Sequence, residues 1–181
     1  MTDADPAISP RDRAYISQQI GREPDGVTAV AARDALGRPA VITNHPIHWL
    51  GQQPVPFPTL YWLIDPVLSK VISDLERRGG VGRIEALLAQ DPALKHHAHD
   101  DHQRYAQRRW AMLSQDEQQL AIDHGFAESL RRKGIGGTAN LDAVKCLHMH
   151  AAYHLAQIAI DRSGTTVGRL MREHGGIRFM P

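Results

Sequence analysis

The sequence of 181 residues predicts an α+β fold, mainly helical, with a small antiparallel sheet packed against helices. Three observations predict it. Val27, Ala29 and Ala31 alternate with Thr28 and Val30, and a second apolar run, Ala40 to Thr43, follows a Gly37-Arg38-Pro39 turn, the pattern of a β-hairpin. From Pro66 onward apolar residues recur at three-and-four spacing, the period of amphipathic helices. A lone hairpin is marginal in water and must bury one face, so the helices are expected to cover it.

Ser9 and Pro10 read as a cap and first-turn proline for a short helix that Gly21 stops. After the hairpin, residues 44–58 hold four prolines, two histidines, Trp49 and Gly51, too irregular for a periodic element, and read as a structured loop. The stretch from Pro54 to Pro66 also admits a buried strand entering a helix, and the sheet is expected to have two or three strands. Asp65 then caps a helix begun by Pro66 and carrying Val67, Leu68, Val71, Ile72 and Leu75. Gly79-Gly80 ends it, and a further helix fits 81–90. Asp91-Pro92 starts a long charged helix to Met112, and Ser114 with Glu117 forms a capping box for a helix reaching about Arg132. Gly134-Ile135-Gly136-Gly137 breaks the pattern. Thr138 or Asn140 caps a last long helix to about Arg162, and 165–174 forms one more short helix. The expected organisation is a tail over 1–10, one α+β domain over 11–174 and a tail over 175–181.

Composition narrows the function classes. Lys and Arg number 21 against 20 Asp and Glu, so no global field points to nucleic acid, and no basic–aromatic platform is present. No apolar run approaches the roughly 20 residues of a membrane span, and no secretory signal is visible, so a cytoplasmic protein is expected. Cys146 is the single cysteine, which excludes an intrachain disulfide and an all-cysteine metal site.

The densest chemistry lies at Cys146, His148, His150 and His154, four metal-ligating side chains within nine residues. On a continuous helix, at about 100° per residue, Cys146, His150 and His154 share an arc of roughly 80° and His148 falls opposite. Residues four apart rise about 6 Å and can share an ion, whereas Cys146 and His154 are about 12 Å apart. Metal ligation by Cys146 and His150 therefore needs a ligand from elsewhere, with Asp65, His45 and His48 suited by type. His148 and His154 are then the candidates for catalytic proton transfer. The plainer alternative makes the cysteine and histidines core groups. A nucleophilic Cys146 with His150 as base is a third reading, without an acyl-transfer signature to support it.

Three further features stand out in the sequence. Pro56, Phe57, Pro58, Tyr61, Trp62 and Asp65 place aromatics and a carboxylate ahead of a helix, as a cap or as one wall of a pocket. Gly134, Gly136 and Gly137, beside Arg131, Arg132 and Lys133, form either an anion-binding loop or a plain turn between helices. The helix spanning 95–109, from Lys95 to Arg109, carries His96, His97, His99 and His102 among charged residues. It reads as a solvated face that offers a surface for a protein partner.

The segments Gly21-Arg22-Glu23-Pro24-Asp25-Gly26, Pro56-Phe57-Pro58-Thr59-Leu60-Tyr61-Trp62-Leu63, Gly134-Ile135-Gly136-Gly137 and Val144-Lys145-Cys146-Leu147-His148 occur in that order. In this the sequence resembles the bacterial family catalogued as domain of unknown function 501, over about residues 13–168. The resemblance implies no established reaction. It implies a metal site made by cysteines at the positions held here by Asp34, Leu36 and Asp65, together with Cys146 and His148, and this chain departs at all three of the former. Asp65 then substitutes an oxygen ligand and His150 or His154 a nitrogen, or else the segment is an inherited core element. The oxygen ligand admits iron or manganese besides zinc. The leading expectation is a divalent-metal site, metal-assisted and hydrolytic, between the 61–65 segment and the 146–154 helix. The rival is a non-catalytic adaptor using the 95–109 helix in cell division or envelope growth.

Overall fold

The computed structural model describes residues 8–179. Helix α1 (Pro10–Ile20) opens on Ser9, whose Oγ accepts a hydrogen bond from the Asp12 amide at 3.1 Å, and closes at Gly21. Strands β1 (Val27–Arg33) and β2 (Pro39–Asn44) then pair as the expected hairpin, with Val30 opposite Ile42. In the 44–58 segment the structure differs from the expected loop. Ile47–Leu50 and Gln53–Pro56 form a second hairpin, β3 and β4, outside the main sheet. A two-stranded ribbon has edges only, so Pro54 and Pro56 fit a strand that proline would break inside a sheet.

Strand β5 (Tyr61–Leu63) is the third strand of the main sheet, whose order is β1-β2-β5, antiparallel throughout. All of β2 is buried because it is the central strand with both faces covered. On one face Ile16 of α1 meets Ile42 and Ile64. The other receives α7 (Leu147–Asp161), whose Ala152, Tyr153, Leu155 and Ala156 pack on Val41, Leu60 and Tyr61.

The remaining helices build outward from α7. These are α2 (Pro66–Arg77), α3 (Gly80–Gln90), α4 (Pro92–Ala111), α5 (Gln115–Asp123), α6 (Ala127–Arg132) and α8 (Thr166–Gly175). Ile72, Leu75, Ile84, Leu88, Leu147, Ala151, Leu170 and Met171 form the core they share. The capping box of Ser114 and Glu117 is present, but Gly125, at φ 73°, divides the expected long helix into α5 and α6. Beyond the expected domain end at 174 the chain stays in the core, with Ile177 buried and Phe179 against the ring of His154 at 4.6 Å. Of the two expected tails, residues 1–7 and 180–181 lie outside the described residues.

Helix α4 also departs from expectation. It is no solvated rod: Asp101, His102, Tyr105, Ala106 and Arg109 are buried, and the exposed face is reduced to His96, His97, Gln103, Arg104, Gln107 and Arg108. Arg109 is wholly buried and donates to the carbonyls of Pro58, Leu130 and Lys133.

Candidate metal centre at the start of helix α7

The last long helix begins at Leu147 and not near residue 140, and this delay creates the site. Residues 138–146 run as turn and extended chain, held by two carboxylates from neighbouring helices. Glu85 accepts from the Val144 amide at 2.9 Å, and Glu76 Oε1 accepts from the Leu147 amide at 2.6 Å. Cys146 occupies the cap position with extended backbone (φ −162°, ψ 127°) and gives no side-chain cap bond. Glu76, on α2, supplies the carboxylate that a helix start calls for.

Because Cys146 precedes the helix, the spacing argument that paired it with His150 does not apply. Two residues apart inside a helix, side chains diverge. With Cys146 extended, its Sγ instead lies 3.7 Å from His148 Nδ1. The same nitrogen is 3.3 Å from Glu76 Oε2. Glu76, Cys146 and His148 each place one ligand atom within 4.8 Å of the other two, the one such group of three or more among the described residues. The other ring nitrogen, Nε2, lies 3.0 Å from the Ser69 carbonyl and 3.2 Å from Ser73 Oγ. Ser69, Ser73 and Glu76 share one stripe of α2, at four- and three-residue spacing.

Electrostatics follow from these contacts. The hydrogen bond to the Cys146 sulfur, with the Ser69 carbonyl and the Glu76 charge, outweighs partial burial and pushes His148 up to about 9. At neutral pH the ring is therefore an imidazolium, a cation seated between a carboxylate and a sulfur.

The cluster forms part of the wall of an open cleft of about 770 Å³. Cys146, just ahead of α7, and His148 and Met149 of α7 face it, with Trp62 and Ile64 from the β5 segment and Ser69, Lys70 and Ser73 from α2. Residues 61–64 and Cys146, His148 and Met149 adjoin along this cleft.

Other candidates have different surroundings. Asp65 caps α2, with Oδ1 accepting from the Val67 and Leu68 amides at 2.8 and 3.0 Å. It lines a second cleft of about 450 Å³ with Asp34 and Leu36, so the five positions of the family's implied site divide between two clefts. His150 is buried, its ring centroid 5.6 Å from that of His102, and neither nitrogen has a hydrogen-bond partner among the described residues. His154 is buried and accepts from the Thr165 amide at 2.8 Å. Of the sequence candidates, the structure brings Cys146 and His148 together and leaves Asp65, His150 and His154 outside their cluster.

The glycine loop is a single 3₁₀ turn, Ile135–Gly137. The Gly134 amide donates to the Thr138 carbonyl, the Ile135 amide to His102 Nδ1 and the Gly137 amide to the Gly134 carbonyl. These bonds leave the three amides committed within the chain. Gly136 and Gly137 adopt φ of 68° and 71°, which is what the turn requires of them.

Glu76 is the member that sequence reasoning missed. It lies about 70 residues from Cys146 along the chain, and its only signal is its place on the stripe of Ser69 and Ser73.

These features define a class: a helix-covered three-stranded antiparallel sheet with a sulfur, an imidazole and a carboxylate converging at the start of a core helix. A family model described as "Protein of unknown function (DUF501)" matches residues 30–173, and the chain belongs to that family. The match includes Glu76, Cys146 and His148 and begins after α1. No match was found among the curated proteins or among the solved structures. Among the described residues, no helix is long and apolar enough to cross a membrane.

Proposed function

We propose that Glu76, Cys146 and His148 bind one divalent metal ion, zinc by preference, and that the ion activates water for hydrolysis in the adjoining cleft. The observation that carries this is that three different donors each place a ligand atom within 4.8 Å of the other two. Around a tetrahedral zinc with ordinary bond lengths, sulfur and nitrogen ligands sit roughly 3.6 Å apart, and nitrogen and oxygen roughly 3.4 Å. The Cys146–His148 and His148–Glu76 separations are 3.7 and 3.3 Å.

The surroundings support the same reading. A metal-bound imidazole generally donates its remaining N–H to a carbonyl, and His148 Nε2 faces the Ser69 carbonyl. Glu76 Oε1 is held by the Leu147 amide, which leaves Oε2 for the ion. Three protein ligands would leave a tetrahedral ion one position for water, as catalytic rather than structural zinc has, and Cys146 and His148 line the cleft beside it. A sulfur donor favours zinc or iron over manganese.

A cysteine nucleophile is less well served. A relay strings its members, with the acid on the ring nitrogen away from the sulfur. Here sulfur and carboxylate face the same nitrogen.

The test is elemental analysis of tag-free protein together with Cys146→Ala, His148→Ala and Glu76→Gln, the last of which keeps an oxygen for the Leu147 amide. Near-stoichiometric metal in wild type, lost in all three folded variants and retained in Asp65→Asn and His150→Leu, is the expected result. Folded wild type that stays metal-free after reconstitution with zinc overturns the reading.

A further inference from the structure

The cleft outside the metal cluster has two unlike walls. One is apolar: Trp62, half-buried, with Ile20, Leu63, Ile64 and Met149. Trp62 is backed by Phe57, the ring centroids 5.5 Å apart, which fixes its plane. The other wall is the face of α2 that carries Ser69, Lys70, Ser73 and Asp74.

The charges on that wall are unequal. Asp74 is held by Arg77 at 2.7 Å, and the Arg77 guanidinium holds its carboxyl below the usual range. Lys70 is exposed at the rim and has no ion-pair partner among the described residues. A second cation, Arg22, lies with its guanidinium carbon 5.8 Å from the Trp62 ring centroid. A zinc ion bound by Glu76 and an ionised Cys146 would carry no net charge with its two anionic ligands, so the charged side chains on the rest of the cleft wall are Lys70 and Asp74, of which Asp74 is already paired with Arg77. Clefts of this build take ligands with an apolar body, and a few placed polar groups fix their orientation.

We propose that the cleft receives an organic anion with a flat apolar body, its anionic group on the Lys70 ammonium and its body against Trp62. The proposal rests on reading this cleft as the working site and adds the class of molecule that enters it. Gln19 and Ile20, from α1, also line the cleft and lie outside the span of the family match.

The probe is phenyl phosphate, titrated into the zinc-loaded chain by calorimetry. Benzylamine, with the same ring and the opposite charge, and inorganic phosphate, an anion without the body, serve as comparators. Phenyl phosphate is expected to bind at least about tenfold more tightly than either. Lys70→Gln is expected to weaken it roughly tenfold, the worth of a charge-assisted contact, at unchanged zinc content. Trp62→Phe, which keeps an aromatic face, is expected to retain most of the affinity, and Trp62→Ala to lose it at an unchanged Lys70. Equal binding of benzylamine, or no effect of Lys70→Gln, overturns the proposal. Zinc content measured on the same preparations separates the two claims. Lys70-dependent binding in a chain that holds no zinc removes the metal and keeps the anion site, and zinc without discrimination between the probes does the reverse.

Discussion

At the scale of single residues, four histidines with different surroundings show how placement decides chemistry. His102, His150 and His154 are enclosed by the core, and burial holds them at about 4, 3 and 4, below the ordinary 6.5. His148, between sulfur, carboxylate and carbonyl, moves the other way, to about 9. Proton linkage then gives opposite signs. As pH falls below about 6.5 the unfolded chain binds protons that the three buried rings refuse, so stability declines progressively from there toward pH 4. In metal-stripped protein the His148 contribution is complete below about 6.5 and is lost as pH rises through about 9. Urea midpoints between pH 7 and 4 should show the acid decline. His150→Leu should make it shallower and, by removing two buried nitrogens without partners, raise stability at pH 7 by about 1 kcal/mol. A variant less stable than wild type at both pH values contradicts this account.

Elements show which features are legible in a sequence. The β1-β2 hairpin, the Ser9 and Asp65 caps and the Ser114–Glu117 box were all legible, because each depends on residues within a few positions of one another. The β3-β4 hairpin was hidden by Pro54 and Pro56, which argue against a strand unless the strand is an edge. The start of α7 was hidden for a different reason. Residues 141–146 have acceptable helix chemistry, but Glu85 and Glu76, distant in sequence, take the Val144 and Leu147 amides and fix the chain as extended up to Cys146. That Cys146 adjoins residues 61–64 was legible, and the grouping of its side chain was not, because His148 rather than His150 lies beside it once Cys146 leaves the helix.

Packing between elements gives a paired prediction. Gly168 of α8 lies against the His154 ring, where a Cβ has no room, whereas Gly82 of α3 has nothing within 4 Å. Gly168→Ala should cost about 1–3 kcal/mol through displacement of His154. Gly82→Ala, inside a helix with open space, should gain about 0.5–1 kcal/mol. Denaturant titration of the two variants checks both signs, and a neutral Gly168→Ala would mean that α7 and α8 are not in close contact there.

At the scale of the whole molecule, one buried cation joins parts that no strand or helix connects directly. Arg109 of α4 donates to the carbonyls of Leu130 and Lys133, at the end of α6, and of Pro58, ahead of β5. Burial lowers it to about 10, so it remains charged at neutral pH, neutralised by carbonyl dipoles instead of a carboxylate. Arg109→Met leaves these carbonyls without their donor and should destabilise the chain by at least about 3 kcal/mol. Arg108→Met, on the exposed side of the same helix, should fall within about 0.5 kcal/mol of wild type. Equal effects of the two would contradict the bracing role of Arg109.

The same scale explains why the cleft lies where it does. The sheet fixes Trp62, α2 fixes Ser69 and α7 fixes His148, so α2 and the sheet, each packed on α7, open onto one cleft. The proposed metal ion would sit where these elements meet. X-ray absorption at the zinc edge of the reconstituted chain tests it most directly. The account predicts one sulfur neighbour at roughly 2.3 Å and nitrogen or oxygen neighbours at roughly 2.0 Å, with the sulfur lost in Cys146→Ala. A spectrum with nitrogen and oxygen neighbours only, or one that Cys146→Ala leaves unchanged, contradicts it.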